Sequence, residues 1–134
     1  MEKMMEDKFT IEPIGYLQTK YNIRQGTPRQ GKNSENSFGR IIIKSKYAEG
    51  IKGIKQGDKI TILFHFHKSK GFELTTIPYR SDTPTGVFCT RSPDRPNGIG
   101  ITVVEVTNVI DNNIEFKGAD MLDETPVIDI KPYI

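Results

Sequence analysis

The segment Lys59-Ile60-Thr61-Ile62-Leu63-Phe64-His65-Phe66-His67 decides the fold class. Apolar residues fill every second position from its second to its eighth residue, so they share one face of an extended strand. A second run, residues 101–106, is rich in the β-branched residues that favour strands. Its alternation slips between Val103 and Val104, which predicts either a β-bulge there or a strand covered on both faces.

Further strand and turn signals follow along the chain. Asp111-Asn112-Asn113 reads as a turn into residues 114–117 and predicts a hairpin. Residues 47–54 predict one or two helical turns, limited by two glycines. We predict further strands at residues 10–17, 39–43, 72–77, 86–90 and 127–130. Many short strands separated by Gly, Pro and Asn indicate a mainly β chain, with residues 1–134 forming a single antiparallel β-barrel domain with few short helices.

The composition excludes several classes of protein. The 134 residues are 35% hydrophobic and 27% charged, which is typical of a soluble globular chain. No apolar run approaches the roughly 20 residues that span a bilayer, and the charged N-terminus lacks the apolar stretch of a signal peptide. Cys89 is the single cysteine, so no internal disulfide forms, and a cytoplasmic location is expected.

Charge is divided unevenly along the chain. Residues 20–100 hold 15 basic and 6 acidic side chains, whereas residues 105–134 hold 2 basic and 7 acidic ones. A basic surface beside an acidic one suits a polyanion on one side and a cationic group on the other. The alternative is that the charges only solvate two faces, and on charge alone this alternative is favoured.

One long stretch, Gly86-Val87-Phe88-Cys89-Thr90-Arg91-Ser92-Pro93-Asp94-Arg95-Pro96-Asn97-Gly98-Ile99-Gly100-Ile101, combines arginines with prolines. We call residues 91–98 the arginine-proline loop, which turns at Asn97-Gly98 before the next strand. Its prolines reduce the freedom of the loop, so Arg91 and Arg95 are presented at little ordering cost. Arginine suits phosphate, carboxylate or a base edge. The alternative is a tight connection whose arginines pair with local carboxylates.

Three smaller constellations carry other chemistry. Gly26-Thr27-Pro28-Arg29-Gln30-Gly31 is a second rigid basic loop, for which a solvated surface turn is the alternative. His65 and His67 lie two residues apart on one side of a strand, as metal ligands do. No third ligand is evident nearby, so a structural or substrate-contacting role is favoured over a metal.

The C-terminal part contains an acidic turn, Asp120-Met121-Leu122-Asp123-Glu124-Thr125-Pro126. With Asp129 it sets four carboxylates within ten residues. Carboxylates accept hydrogen bonds from ribose hydroxyls or amino groups, and they offset a positive charge such as a sulfonium. The alternative is a turn that closes the last strand, with Asp123 as a turn or cap residue.

Nucleotide-binding motifs of the common kinds are absent from the sequence. Gly98-Ile99-Gly100 lacks the third glycine of a dinucleotide fingerprint, and neither a P-loop nor a nucleophile elbow occurs. A nucleotide-like cofactor is therefore expected to be held in a different manner from that of a Rossmann fold.

Together these segments resemble the TsaA-like (TrmO-type) family, whose characterised bacterial members methylate threonylcarbamoyl-adenosine beside the tRNA anticodon. The matching pieces follow the family order along the chain: Pro13-Ile14-Gly15, Pro28-Arg29-Gln30, Tyr47-Ala48-Glu49-Gly50-Ile51, Phe66-His67, Gly86-Val87-Phe88, Thr90-Arg91-Ser92-Pro93, Arg95-Pro96-Asn97, Ile99-Gly100, Asp120, Leu122-Asp123, Thr125-Pro126-Val127 and Asp129-Ile130-Lys131-Pro132-Tyr133. The arginine-proline loop and the last of these pieces are the most specific.

The resemblance implies a β-barrel that dimerises and binds S-adenosylmethionine between loops. Carried over by position, it predicts a cofactor site made of Pro28, Arg29, Gln30, His67, Lys68, Arg91, Ile101, Asp120, Met121, Leu122 and Asp123. It implies tRNA as the partner, with Arg95 and the basic residues 20–40 on its phosphates. The general base is not assigned: an acidic-turn carboxylate is the first candidate and His67 the second.

Three alternatives to this reading stay open. One is a non-catalytic β-barrel that binds RNA through its basic loops, and another is a methyltransferase that acts on a different substrate. A metal-dependent hydrolase built on His65 and His67 ranks last. The chain ends at Ile134, so we expect it to lack the further C-terminal domain of bacterial members.

Overall fold

Antiparallel strands pair side by side until the first meets the last. The structure is a computed structural model that describes residues 7–19, 37–77, 80–118 and 120–134. Its strands are β1 (Gly15–Gln18), β2 (Phe38–Ile43), β3 (Lys59–His65), β4 (Thr75–Thr76), β5 (Thr85–Gly86), β6 (Ile99–Ile110), β7 (Asn113–Lys117) and β8 (Pro126–Pro132). Six of these form a closed barrel in the order β1-β2-β7-β6-β3-β8, and β8 pairs with β1. The predicted antiparallel barrel is confirmed, and its closure removes exposed strand edges.

The alternation in β3 builds the barrel core as predicted. Ile60, Ile62 and Phe64 are buried, and Phe66 packs against the same core just beyond the strand end. The rings of Phe64 and Phe66 meet edge to face with centroids 5.0 Å apart. Gly100 on β6 makes room for them, because a Cβ there would lie 2.5 Å from the Phe64 ring. Glycine is therefore required at this position by close packing.

The β-bulge or doubly covered strand predicted from the pattern at Val103 and Val104 of β6 is wrong. From Ile99 to Val106 burial alternates without a break, with Gly100, Val104 and Val106 facing inward and Val103 facing outward with 39% exposure. The irregularity in register lies instead between Val106 and Asn108, against β7. An outward-facing β-branched residue fits a pleated strand surface, so an apolar residue out of phase is not by itself a register shift.

Local predictions elsewhere had mixed outcomes. The hairpin is confirmed, since β6 and β7 are joined by Asp111-Asn112, with Asp111 in the left-handed region (φ 54). The strand at residues 39–43 and the last strand are confirmed, and the helical turns near residue 47 form the 3₁₀ helix Ser45–Ile51. The strand at residues 10–17 is reduced to β1, and that at residues 72–77 to β4.

The strand predicted at residues 86–90 is wrong, because most of it is the 3₁₀ turn Val87–Cys89. The backbone N–H of Thr90 donates to the carbonyl of Val87 at 3.1 Å, and the Thr90 hydroxyl donates to the same oxygen at 2.8 Å. These two bonds close the turn and prevent an extended course. A third 3₁₀ helix, Pro96–Gly98, leads into β6.

No helix in the described parts of the chain combines the length and apolar character needed to cross a membrane. That residues 1–134 form a single domain stays a prediction.

Candidate functional site

The acidic turn connects β7 with β8 and is fastened to the end of β1. The backbone N–H of Thr19 donates to Asp123 Oδ1 at 2.8 Å, and the Thr19 hydroxyl donates to the carbonyl of Met121 at 3.0 Å. The backbone N–H of Glu124 donates to the carbonyl of Leu17 at 2.8 Å. Asp123 therefore caps the C-terminal end of β1, which agrees with the alternative prediction that Asp123 is a turn or cap residue. The Met121 side chain is 2% exposed and belongs to the core.

Asp120 differs from the other carboxylates of this region. Its Oδ1 is buried and finds no hydrogen-bond partner among the described residues. Burial raises the pKa of Asp120 to about 6, against the opposing effect of hydrogen bonds from its own backbone and from the Thr102 side chain on β6. Glu124 is exposed, and Asp129 forms an ion pair with Lys131 at 3.1 Å. Asp120 thus offers a desolvated oxygen that accepts a proton near neutral pH.

His67 approaches the same turn from the end of β3. Its Nδ1 lies 3.5 Å from the hydroxyl oxygen of Thr125. Burial lowers the pKa of His67, and the positive charge of Lys68 lowers it further. Its Nε2 is buried and has no partner within the described part of the chain. The imidazole is therefore neutral at neutral pH, with one ring nitrogen unpaired.

Arg95 and Asp94 of the arginine-proline loop form hydrogen bonds within the loop and with residues beside it. Arg95 Nη1 donates to the carbonyl oxygens of Thr90 at 2.7 Å and Ser92 at 3.3 Å. The Ser69 hydroxyl donates to Asp94 Oδ1 at 2.6 Å, which ties the loop to the segment after His67. Among the described residues, Arg95 braces carbonyl groups rather than the carboxylates that the alternative interpretation predicted for it.

Other predicted site residues lie in different surroundings. Arg91 and Lys68 are exposed, and Lys68 follows His67 directly. Ile101 is 48% exposed on the outer side of β6, whereas Thr102 points to the opposite side, toward Asp120. Leu122 is half-buried at the turn. Pro28, Arg29 and Gln30 lie outside the described residues.

The structure therefore brings His67 and the residues of the acidic turn together, while Ile101 lies on the outer face of the barrel. Thr102 and Thr125 are contacts of the site that reasoning from the sequence missed. Both are threonines on or beside strands, where this residue type is common, and only the tertiary structure reveals their partners. Thr125 belongs to one of the segments that resemble the family, but the sequence analysis assigned it no function.

The structure does not support the alternative of a metal site at His65 and His67. No group of three or more His, Cys, Asp or Glu side chains there is arranged to hold a metal ion. His65 is exposed at the end of β3, and the ring of His67 is engaged by the acidic turn.

Comparison with known proteins places this geometry in a family. The family model described as the tRNA-methyltransferase O N-terminal domain matches residues 16–134. An S-adenosyl-L-methionine-binding protein of Archaeoglobus fulgidus is 37% identical over 123 residues, which cover 92% of this chain and 88% of that protein. The tRNA (adenine(37)-N6)-methyltransferase of Homo sapiens is 38% identical over 130 residues, which cover 92% of this chain and 30% of that protein.

A crystal structure shares the fold. TrmO from Pseudomonas aeruginosa superposes with a TM-score of 0.79 at 32% sequence identity, over 98% of this chain and 57% of that one. The chain thus spans little more than half of that TrmO chain and under a third of the human relative. The family match confirms the resemblance predicted from the sequence pieces. The chain belongs to the tRNA-methyltransferase O N-terminal domain family.

Proposed function

We propose that this protein binds S-adenosylmethionine and transfers its methyl group to tRNA. The observation that carries the proposal is a pair of buried polar atoms at the acidic turn, Asp120 Oδ1 and His67 Nε2, neither of which has a hydrogen-bond partner among the described residues. Buried polar atoms without partners are rare in proteins, and two of them at one turn favour a ligand there. The names of the relatives agree with this function, since one is an S-adenosyl-L-methionine-binding protein and another a tRNA methyltransferase.

The chemistry of the cofactor fits the donor and acceptor balance of this turn. S-adenosylmethionine carries a positive sulfonium, an ammonium group, ribose hydroxyls and an adenine amino group, and all but the sulfonium donate hydrogen bonds. Asp120 Oδ1 accepts, as does His67 Nε2 when the ring proton lies on Nδ1, and the Asp120 carboxylate adds a negative charge that favours a cation nearby. Of the predicted cofactor set, His67 and Asp120 would bind directly, while Asp123 and Met121 hold the turn in place.

When bound, the cofactor supplies an electrophilic methyl group. The residues of the chain must then align the acceptor nitrogen with that methyl and remove the acceptor's proton. Asp120 is the first candidate for the base, because its pKa of about 6 keeps it ionised at neutral pH while giving it more affinity for a proton than an ordinary carboxylate. Asp123 is less suited, since Thr19 occupies one of its oxygens.

The finer proposal names the substrate as threonylcarbamoyl-adenosine beside the tRNA anticodon, methylated on its exocyclic nitrogen. The excess of basic residues between positions 20 and 100 suits the phosphates of an anticodon loop. Arg95 would contribute through the guanidinium nitrogen that its own loop does not use. We propose a cytoplasmic location for the protein, in keeping with its free Cys89.

A homodimer is part of the same proposal. The outer face of β6 exposes a row of apolar side chains, with Ile99 at 39%, Ile101 at 48% and Val103 at 39% exposure. Such a row on a strand surface suits burial against a second copy. Light scattering of the wild type and of Ile101→Lys tests it: the substitution is expected to shift the mass from dimer to monomer.

The function is tested by methyl transfer from labelled cofactor. The protein is incubated with tRNA from cells that make the threonylcarbamoyl group and, separately, from cells that lack it. Label is expected in the first pool alone. Equal labelling of both pools would reject this substrate and keep the methyltransferase, whereas no label in either, together with salt-sensitive RNA binding that ignores the cofactor, would favour a non-catalytic RNA-binding barrel.

A further inference from the structure

We propose that Thr125 is a positioning residue that fixes the tautomer of His67, so that Nε2 accepts a hydrogen bond from an N–H or O–H group of a bound molecule. Thr125 is 3% exposed, at the end of the acidic turn where β8 begins. Among the described residues, its hydroxyl is the side-chain group of the turn that contacts the imidazole of His67, at 3.5 Å from Nδ1. The inference deepens the proposed function by assigning the polarity of one contact in its site.

The direction of each hydrogen bond follows from counting protons. A threonine hydroxyl has one proton, and that of Thr125 goes to the carbonyl oxygen of Leu122 at 2.7 Å. Toward His67 the hydroxyl therefore presents a lone pair, at 3.5 Å from Nδ1. The Asp123 backbone raises the pKa of the ring, as a hydrogen-bond acceptor does. Because the Thr125 hydroxyl presents a lone pair to Nδ1, the proton of the neutral imidazole lies on Nδ1.

With the ring proton on Nδ1, the Nε2 atom of the neutral imidazole carries a lone pair and no proton. This atom is buried without a partner in the described ranges, and such an atom is costly unless a ligand supplies a donor. A ligand group that only accepts hydrogen bonds would meet the lone pair unfavourably. His67 is thus specific for a donor, and the S-adenosylmethionine of the proposed function carries donors in its amino, ammonium and hydroxyl groups.

The local backbone places Thr125 for this task. Glu124 adopts φ 66, in the left-handed region, and the backbone N–H of Thr125 returns to the carbonyl of Leu122 at 3.3 Å. The chain therefore folds back on itself, and the Thr125 hydroxyl and amide share one acceptor oxygen. This turn carries the hydroxyl into the interior beside His67, where solvent cannot compete for the hydrogen bond.

The charged groups around His67 keep it neutral. Lys68 and His65 lower its pKa, while Glu124 raises it, and burial is the largest effect. Acid that protonates the ring converts Nε2 into a donor. Protonation of the ring is therefore expected to weaken the binding of a donor ligand, and because Asp120 at the same turn also titrates, with a pKa of about 6, the contribution of His67 is the part of the pH dependence that is lost in His67→Phe.

The tautomer can be measured without any ligand. The full chain is labelled with ¹⁵N-histidine, and long-range ¹⁵N–¹H correlation spectra identify which ring nitrogen carries the proton. We expect the Nδ1–H form in the wild type and in Thr125→Ser, and a loss of that preference in Thr125→Val. Thr61→Val, at a half-buried threonine on β3, is the matched control and is expected to leave the tautomer unchanged.

Two results would overturn the inference. One is an Nε2–H tautomer in the wild type, which needs no variant and so does not depend on whether Thr125→Val folds. The other is an unchanged tautomer in a folded Thr125→Val. Neither result bears on whether the protein binds the cofactor.

A double-mutant cycle tests the consequence for binding. S-adenosylmethionine affinity is measured for the wild type, Thr125→Val, His67→Phe and the double variant. We expect Thr125→Val to weaken binding about tenfold in the wild-type background and less than twofold when His67 is absent. Equal losses in both backgrounds would contradict the positioning role. Absence of binding by the wild type would reject the proposed function, and the spectra would still decide the tautomer.

Discussion

The acidic turn and the arginine-proline loop are both polar connections at the barrel surface, yet they treat their polar groups in opposite ways. In the loop, Arg95 and Asp94 are engaged by atoms of the loop and of the segment beside it. Asp120 in the turn and His67 beside it each keep one buried atom without a partner in the described chain. Arg95 and Asp94 thus stabilise the loop, whereas the turn is the region where we propose that a ligand binds.

The largest expected effect separates the two regions by activity. Asp120→Asn removes the proton acceptor while keeping the shape, and we expect methyl transfer to fall by a factor on the order of 10² to 10⁴. Transfer by the wild type should rise with pH through about 6, the pKa of Asp120, because the ionised carboxylate is the active form. The measurement is single-turnover transfer from labelled cofactor across this pH range. Asp129→Asn, at a surface ion pair, is the control, and a loss as large as that of Asp120→Asn would refute the assignment.

The same substitution is expected to stabilise the fold. The pKa of Asp120 is raised in the folded state, so its contribution to stability is fully present below the ordinary carboxyl pKa and is lost as the pH rises through about 6. Asn carries no charge to desolvate. At slightly alkaline pH, Asp120→Asn should therefore unfold with a free energy about 1–2 kcal/mol higher than the wild type. Urea unfolding measures it, and equal stability at alkaline pH would argue against a desolvated carboxylate.

We expect Arg95 in the arginine-proline loop to contribute more to the stability of the fold than to cofactor binding. Arg95→Ala removes the donor for two carbonyl oxygens, which should cost about 1–2 kcal/mol of unfolding free energy. Arg91→Ala, at an exposed arginine in the same loop, is the matched control for stability and should change it by less than about 0.5 kcal/mol. Thermal unfolding of both variants decides the matter. If both lose the same stability, the bracing role of Arg95 is wrong.

The smallest expected effect concerns the backbone of the acidic turn. Glu124 holds a positive φ of 66, which glycine adopts without strain. Glu124→Gly is therefore expected to be neutral or to stabilise the protein by up to about 1 kcal/mol, with cofactor affinity unchanged. Denaturant unfolding checks it, with Glu73→Gly as the control, at an exposed residue outside the helices and strands and without a positive φ. A clear loss of stability in Glu124→Gly alone would show that the Glu124 side chain, rather than its backbone, supports the turn.

The sequence predicted the barrel well wherever a local pattern determines the structure. The alternation in β3 and the turn after β6 are properties of adjacent residues, and both were confirmed. Residues 86–90 look like a strand by composition, but the Thr90 hydroxyl and amide close a 3₁₀ turn. Composition alone does not distinguish those two outcomes.

The candidate site was predictable as a region and not as individual roles. Four carboxylates near the C-terminus stood out in the sequence, but nothing in their order distinguishes Asp120 from Asp123. The distinction arises from partners distant in the chain, Thr102 for the first and Thr19 for the second. Such contacts depend on how strands align in the closed barrel, which a single sequence does not encode in any local pattern.

The central claim is that the acidic turn binds S-adenosylmethionine through the unpartnered atoms of Asp120 and His67. Calorimetric titration of the wild type with the cofactor and with its demethylated product tests this claim most directly, beside Asp120→Asn and the surface control Asp129→Asn. We expect the wild type and Asp129→Asn to bind S-adenosylmethionine saturably, and Asp120→Asn to bind it at least tenfold more weakly. Absence of heat and of any thermal shift at saturating cofactor, or equal affinity in Asp120→Asn, would contradict it.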